Sequence, residues 1–215
     1  YKETKQKSAV LYRQNPRFDL ISTSRVHQGK LLFFEEHMKR LQESGRYFDY
    51  PFNKEEVKKQ VEDLCQSLDF DTDYRLKMSL AKDGELTFEH NQLTGLADDF
   101  CQARLVEQTY PLDSPYTYFK TSYRPHISLG PHEQIYYNQK KELLETSIGN
   151  LVLKIEDQLY TPPIRLGLLN GIYRQNLIAN NQVTERVLTL DNLKQAQAIY
   201  GCNAVRGLYE LKVDI

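Results

Sequence analysis

At Phe34 the spacing of apolar residues changes, so no architecture built from strands alone or helices alone suits the chain. Upstream, FDLISTSRVHQGKLLFF (18–34) alternates apolar and polar residues on both sides of Gln28-Gly29, the pattern of two strands joined by a tight hairpin. Downstream, Phe34, Met38, Leu41, Gly45 and Phe48 recur at four-three-four-three spacing, which predicts one face of a helix running to about Phe48. Asn53 with Glu56 resembles a capping box, and Val57, Val61, Leu64 and Leu68 mark a second amphipathic helix. Each such element is apolar on one side and must bury that side against another layer, which predicts a mixed α/β (α+β) fold.

The same reasoning divides the chain into two lobes. YRLKMSLA (74–81) and ELTFEH (85–90) flank Asp83-Gly84, a second hairpin signal, and CQARLVEQ (101–108) reads as a further strand. TYPLDSPYTY (109–118) then carries two prolines and little periodicity. These features predict an N-terminal small α/β lobe over 17–110, a linker over 111–118 and a C-terminal lobe over 119–215, with 1–16 as a linker or fragment edge. In the second lobe, strands are expected near 133–138, 149–155 and 158–160. A helix from Gly171 to about Ala179 follows, then a strand TERVL, a helix from Leu190 to about Ala198, and a strand IYGCNAV.

Composition narrows the function classes. The 215 residues are 40% hydrophobic and 27% charged, enough for a sizeable core, and the formal charge of −1 offers no basic excess for nucleic acid. Cys65, Cys101 and Cys202 are odd in number and far apart, which suits a reducing compartment and predicts a cytoplasmic protein. No apolar run approaches a membrane span. The start, YKETKQKSAV, lacks an initiating Met, so a piece of a longer polypeptide is expected. None of His27, His37, His90, His126 and His132 makes a metal-ligand spacing with another His or a Cys, and no metal site is expected.

Several residues could carry chemistry, and each has a plainer use. Lys120, after an aromatic run in YFKTSYRPH, could lose its charge on burial and attack a carbonyl, or lie solvated on a surface. Glu145, among apolar strand-like residues, needs a partner, which could be a structural Arg or the protonated ring nitrogen of a bound cofactor. Arg40 follows His37 by three residues on one helical face and could clamp a phosphate. Asn203 could offer its amide to an anion or shape a turn. In LLNGIYRQN (168–176), Gly171 precedes an apolar helix start, where the amides of Ile172 and Tyr173 would face outward and suit an anion.

The order of these signals carries more weight than any one of them. RV-x-x-GKL, H-x-x-RL, KT, LLET-x-x-GN, TPP-x-x-x-GLL-x-G-x-YR, TERVLTLDNL and N-x-VRG, in this sequence over roughly residues 17–210, resemble the fold-type IV pyridoxal-phosphate enzymes. Among these, the chain most resembles aminodeoxychorismate lyases forming the C-terminal part of fusions with aminodeoxychorismate synthase component I.

The resemblance implies a two-lobed, D-amino-acid-aminotransferase-like architecture and pyridoxal 5'-phosphate as cofactor. It implies a homodimer with the active site near the interface, and a synthase fused to the chain or associated with it. Lys120 would hold the cofactor aldehyde and shuttle a proton. Glu145 would keep the pyridine nitrogen protonated. Arg40, Gly171 with the amides of Ile172 and Tyr173, and Asn203 with Ala204 would surround the phosphate. Lys120 or Thr23 would protonate the leaving group, and Arg25, Arg75 and Arg206 would clamp substrate carboxylates. The implied reaction is elimination from 4-amino-4-deoxychorismate to 4-aminobenzoate and pyruvate, in folate biosynthesis.

The chain departs from that pattern in places. SYRPHISLGPHE, between Lys120 and the next strand, is shorter than the family's usual helical region; His132-Glu133 replaces a more frequent Asp-Glu, and Ala204 a frequent Ser or Thr. A class IV aminotransferase acting on branched-chain or D-amino acids shares the cofactor motifs, and a non-catalytic degenerate domain of a synthase fusion would keep the fold alone.

Overall fold

The computed structural model describes residues 16–93 and 101–213. Its first sheet is antiparallel, with strands β1 (Leu20–His27), β2 (Lys30–Leu31), β3 (Tyr74–Leu80) and β4 (Leu86–Gln92) in the order β2-β1-β3-β4. The hairpin falls where the sequence places it, with Gln28 and Gly29 both at positive φ, 47° and 68°, as a turn matching the twist of the strands requires. Helices α1 (Phe34–Phe48) and α2 (Lys54–Ser67) cover one face, and Asn53 Oδ1 accepts a hydrogen bond from the Glu56 amide at the start of α2. Leu20 and Val26 of β1 pack there with Met38, Leu41, Val57, Val61, Leu76, Met78 and Leu80. Each such side chain contributes about 1.5–3 kcal/mol relative to exposure.

Side chains alternate along a strand, so the residues between these core positions point to the other face. Register sets Thr23 opposite Lys77 and Lys77 opposite Glu89, while Arg25 faces Arg75. This polar face fronts the second lobe.

The second sheet has the order β10-β9-β8-β11-β12-β5-β6-β7. Its strands are β5 (Cys101–Glu107), β6 (Glu133–Tyr137), β7 (Leu143–Thr146), β8 (Asn150–Ile155), β9 (Gln158–Thr161), β10 (Thr184–Glu185), β11 (Ala198–Asn203) and β12 (Gly207–Val213). An additional β7–β8 pairing closes β8, β11, β12, β5, β6 and β7 into a ring, which removes their free edges. Leu143, Leu151, Leu153, Ile135, Leu188 and Leu193 fill its core. Three further helices, α3 (Pro115–Tyr118), α4 (Ile172–Ala179) and α5 (Leu190–Gln195), lie among the strands, and Thr189 and Asn192 form a reciprocal cap at the start of α5.

Several expectations shift. Cys101–Glu107, assigned from the sequence to the first lobe, pairs in parallel with β12 and β6 and so belongs to the second sheet. Such parallel pairing joins residues far apart in the chain, and local alternation does not reveal it. TERVL contributes only Thr184–Glu185 to a strand, because Val187 and Leu188 leave the ladder and Leu188 enters the core. The four-residue strand β7 and the seven-residue strand β12 lie outside the predicted elements. Residues 1–15 of the expected fragment edge lie outside the described residues.

Candidate active site

One cavity of about 600 Å³ opens between the polar face of the first sheet and the ring of the second. Among the described residues, Arg40, Arg75, Lys77, Lys120, Arg124 and Arg206 line it with two acids, Glu89 and Glu145. Glu89 is already paired with Lys77 at 2.7 Å, so the cavity favours an anionic ligand.

Lys120 is held from its backbone. It lies in an extended segment that bridges to β1, with its carbonyl accepting from the Ile21 amide at 2.9 Å. Ser122 closes the same bridge: its amide donates to the Asp19 carbonyl at 2.9 Å, and its Oγ accepts from the Asp19 amide at 2.8 Å. The amine is held well below the usual lysine range, first by burial and then by Arg40 and Arg124, with Glu145 pulling the other way. A neutral amine is the nucleophilic and basic form.

The depressed Lys120 affects stability in a direction that can be worked out. Between its lowered folded pKa and the unfolded value near about 10.4, the unfolded chain binds more protons than the native one. Stability therefore rises with pH across that window. Urea unfolding should give a midpoint that climbs through mildly alkaline pH, and Lys120→Met should flatten the climb; equal slopes in both proteins would contradict a depressed Lys120.

Glu145 on β7 pairs across the ladder with Asn150 of β8 and is 4% exposed. Burial raises its carboxyl above the usual range, opposed by Arg124, by a hydrogen bond from the Leu169 amide and by Lys120. Arg124 Nη2 lies 3.4 Å from its Oε1. Behind it, His126 Nε2 lies 3.8 Å from the same oxygen. Burial and Arg124 push His126 down to about 4, so the ring is neutral.

On the first lobe, Arg40 Nη2 donates to Ser22 Oγ at 3.0 Å, and Ser22 Oγ lies 2.6 Å from His37 Nδ1. Burial first and Arg124 second lower the Arg40 guanidinium to about 10. Its Nε is buried without a partner among the described residues, an orphan donor of the kind an anionic ligand satisfies. Opposite, Gly171 caps α4, whose first turn contains no acidic side chain. The opening amides of that turn lack intrahelical partners and carry the positive end of the helix dipole.

Gly171 has a second reason to be glycine. A Cβ there would sit 2.1 Å from Asn150 Oδ1, and Asn150 Nδ2 holds the Leu169 carbonyl at 2.8 Å. The φ of −64° is open to any residue, so crowding decides the choice.

Of the residues named from the sequence, Lys120, Thr23, Arg40, Glu145, Gly171, Ile172, Asn203, Ala204, Arg75 and Arg206 all line this one cavity. Two do not. Arg25 Nε donates to the Val205 carbonyl at 2.7 Å and its guanidinium faces Asp73 at 3.6 Å, so it pins the 204–206 turn to β1 instead of clamping a carboxylate. The Tyr173 side chain turns away, its ring packing edge-on against Phe33 and covering Gly207, while its amide, the group named from the sequence, stays in the opening turn of α4. Asn203 is committed to its turn, with Oδ1 accepting from the amides of Val205 and Arg206 and Nδ2 donating to the Ile148 carbonyl. The Ala204 carbonyl accepts from the Arg25 amide at 3.3 Å, another tie between the lobes.

Sequence reasoning missed Arg124, His126, Lys77 and the Ser22–His37 pair. The RPH of 124–126, two basic residues around a proline four residues after the lysine, was the available signal.

The description amino-transferase class IV matches residues 19–104 and 116–212, most of the chain. The chain belongs to the class IV aminotransferase family. A Schizosaccharomyces pombe protein provisionally named an aminodeoxychorismate lyase is 24% identical over 198 residues, 84% of each chain. A provisionally named amino-acid aminotransferase from Mesorhizobium loti superposes with a TM-score of 0.82 at 26% identity, over 92% of this chain and 100% of that one. A hypothetical aminotransferase from Mycobacterium tuberculosis in its PLP-bound form gives 0.74 at 20% identity, over 91% and 81%. The architecture is that of the fold-type IV class IV enzymes.

Proposed function

We propose that this class IV protein is a pyridoxal-phosphate-dependent lyase that splits 4-amino-4-deoxychorismate into 4-aminobenzoate and pyruvate. The observation that carries the reading is a depressed lysine, Lys120, between a buried guanidinium, Arg40, and a buried carboxyl, Glu145, in one cavity. The name of the fission-yeast relative and the motif order support the lyase. The PLP-bound neighbour and the family support the cofactor.

The residues present fit pyridoxal 5'-phosphate. Arg40, with its unpartnered buried Nε, and the amide of Ile172 beyond Gly171 form a cradle for a phosphate. Glu145 supplies an acceptor for a protonated ring nitrogen, and Lys120 an amine for the aldehyde. When bound, the group supplies an electron sink for the pair left as a C–H bond breaks.

Lys120 Nζ then takes the proton from the amine-bearing carbon of the substrate, as its lowered proton affinity at neutral pH permits. Breaking the adjacent carbon–oxygen bond releases the enolpyruvyl group and aromatises the ring. Lys120, or the Thr23 hydroxyl on the cavity wall, delivers the proton the leaving group needs to become pyruvate. Arg75 and Arg206 face the two carboxylates of the substrate. The walls serve to align the scissile bonds.

A homodimer, a fused or associated synthase and a cytoplasmic location belong to the same reading, supported by the family resemblance. Among the described residues no helix is long and apolar enough to cross a membrane.

The Mesorhizobium loti likeness favours a second reading, an amino-acid aminotransferase. Incubation of the cofactor-loaded protein with 4-amino-4-deoxychorismate decides between them. Release of pyruvate and 4-aminobenzoate is the expected result; amino transfer to a 2-oxo acid without pyruvate release would replace the lyase with the transaminase. A protein that takes up no cofactor would leave only the non-catalytic domain.

A further inference from the structure

We propose that His126 is a positioning residue for Glu145, gripping the carboxylate from behind so that it faces the cavity in a fixed orientation and in its ionised form. Its bearing on catalysis rests on the reading of Glu145 as the partner of the cofactor ring; the contact itself does not.

Glu145 lines two spaces at once, the main cavity and a small one of about 10 Å³ that it shares with His126, Gln108 and Tyr136. The second is far too small for a substrate and is on the scale of a single water. His126 is 6% exposed, and neither ring nitrogen has a hydrogen-bond partner among the described residues. A buried imidazole is costly in that state, and a carboxylate oxygen lies 3.8 Å from its Nε2.

The ring has little freedom to turn elsewhere. Gln108 Nε2 donates to the His126 carbonyl at 2.6 Å, while Gln108 Oε1 accepts from the Tyr110 amide at 2.8 Å. The Tyr110 ring lies over the imidazole with centroids 5.7 Å apart.

Burial first, and Arg124 second, disfavour an imidazolium, which leaves the neutral ring. Of its two tautomers, only the one with the proton on Nε2 directs a donor at Glu145. His126 and Arg124 then converge on Oε1 from the loop, the Leu169 amide donates from the segment just before Gly171, and Lys120 and Tyr136 face the carboxyl from the cavity and from β6. Burial favours the protonated acid, and Arg124, the Leu169 amide and Lys120 oppose it; an Nε2–H on His126, aimed at the same oxygen, adds to them. A protonated Glu145 could not hold a cationic ring nitrogen.

The test begins with the protein free of cofactor. Nitrogen-15 spectra of wild-type imidazoles at neutral pH are expected to give His126 as the neutral Nε2–H tautomer; an Nδ1–H tautomer or an imidazolium would overturn the proposal. Carbon-13 carboxyl titration, with Glu145→Gln to identify the signal, should place the Glu145 midpoint about one pH unit higher in His126→Phe, the scale of one polar partner removed from a buried charge. His126→Gln, which can still donate, should restore most of that unit. An unchanged midpoint in the Phe variant, or an equal rise in both variants, would refute positioning. In the loaded protein the visible cofactor band should change with pH in the same order, wild type and Gln together, Phe displaced. If wild type takes up no pyridoxal phosphate, the functional reading fails while the cofactor-free titration still decides the role of His126.

Discussion

Lys120→Ala is expected to lower pyruvate release by at least about 10⁴-fold, because one amine both carries the cofactor and moves the proton. The loss should be chemical and not structural. The segment around Lys120 is pinned by backbone bonds to Ile21 and Asp19 that the substitution leaves in place, and removing a depressed amine relieves the cost of deprotonating it on folding. The urea midpoint of the variant should therefore match or exceed that of the wild type at neutral pH. Borohydride reduction of the loaded wild type followed by peptide mass analysis should locate the modification on Lys120 and find none in the variant. Residual turnover within about tenfold of wild type, a small part of the usual contribution of a positioned base, would remove Lys120 from the chemistry.

Gly171→Ala should damage both stability and ligand binding through one clash. The new methyl would meet Asn150 Oδ1 at 2.1 Å, forcing the amide away from the Leu169 carbonyl it holds at 2.8 Å. An overpacked site together with a lost buried hydrogen bond costs about 1–3 kcal/mol. The start of α4 would shift with it, and the affinity for pyridoxal phosphate should fall roughly 10- to 100-fold, since an anion site of oriented amides tolerates little displacement. Asn150→Ala separates crowding from other causes. Because the clash needs both groups, the double variant should lose less stability than the two single losses added together. Strict additivity in urea unfolding would show that Asn150 is not what excludes a side chain at 171.

Much of the first lobe could be read directly because its signals are local. The period shift at Phe34 marked the start of α1, Asn53 supplied the cap of α2, and Gln28-Gly29 and Asp83-Gly84 marked turns whose residues accept the backbone geometry a hairpin needs. The closing strands of the second lobe were harder. Leu143–Thr146 is only four residues, all buried, and gives no alternation to detect. Gly207–Val213 forms a hairpin with β11 and also pairs in parallel with Cys101–Ala103, about half the chain away, and its own burial does not alternate.

The candidate site divides the same way. Lys120, Glu145, Arg40 and Gly171 were named because their motifs occur in a recognisable order, and the fold gathers them around one cavity. Arg25 was misread because an arginine facing Arg75 across a sheet looks the same in sequence whether it meets a ligand or a carbonyl. Its contact with Val205 lies 180 residues away along the chain.

Sequence alone determined the elements of local periodicity and the identity of the groups able to form an imine, accept a proton or bind a phosphate, since those depend on residue type and short spacing. Tertiary structure alone decided which of these groups share a low-dielectric space. Burial and the proximity of Arg40 and Arg124 lower the proton affinity of Lys120, and burial raises that of Glu145. Both effects depend on what surrounds a charge in space, and those neighbours come from strands and loops far apart in the chain.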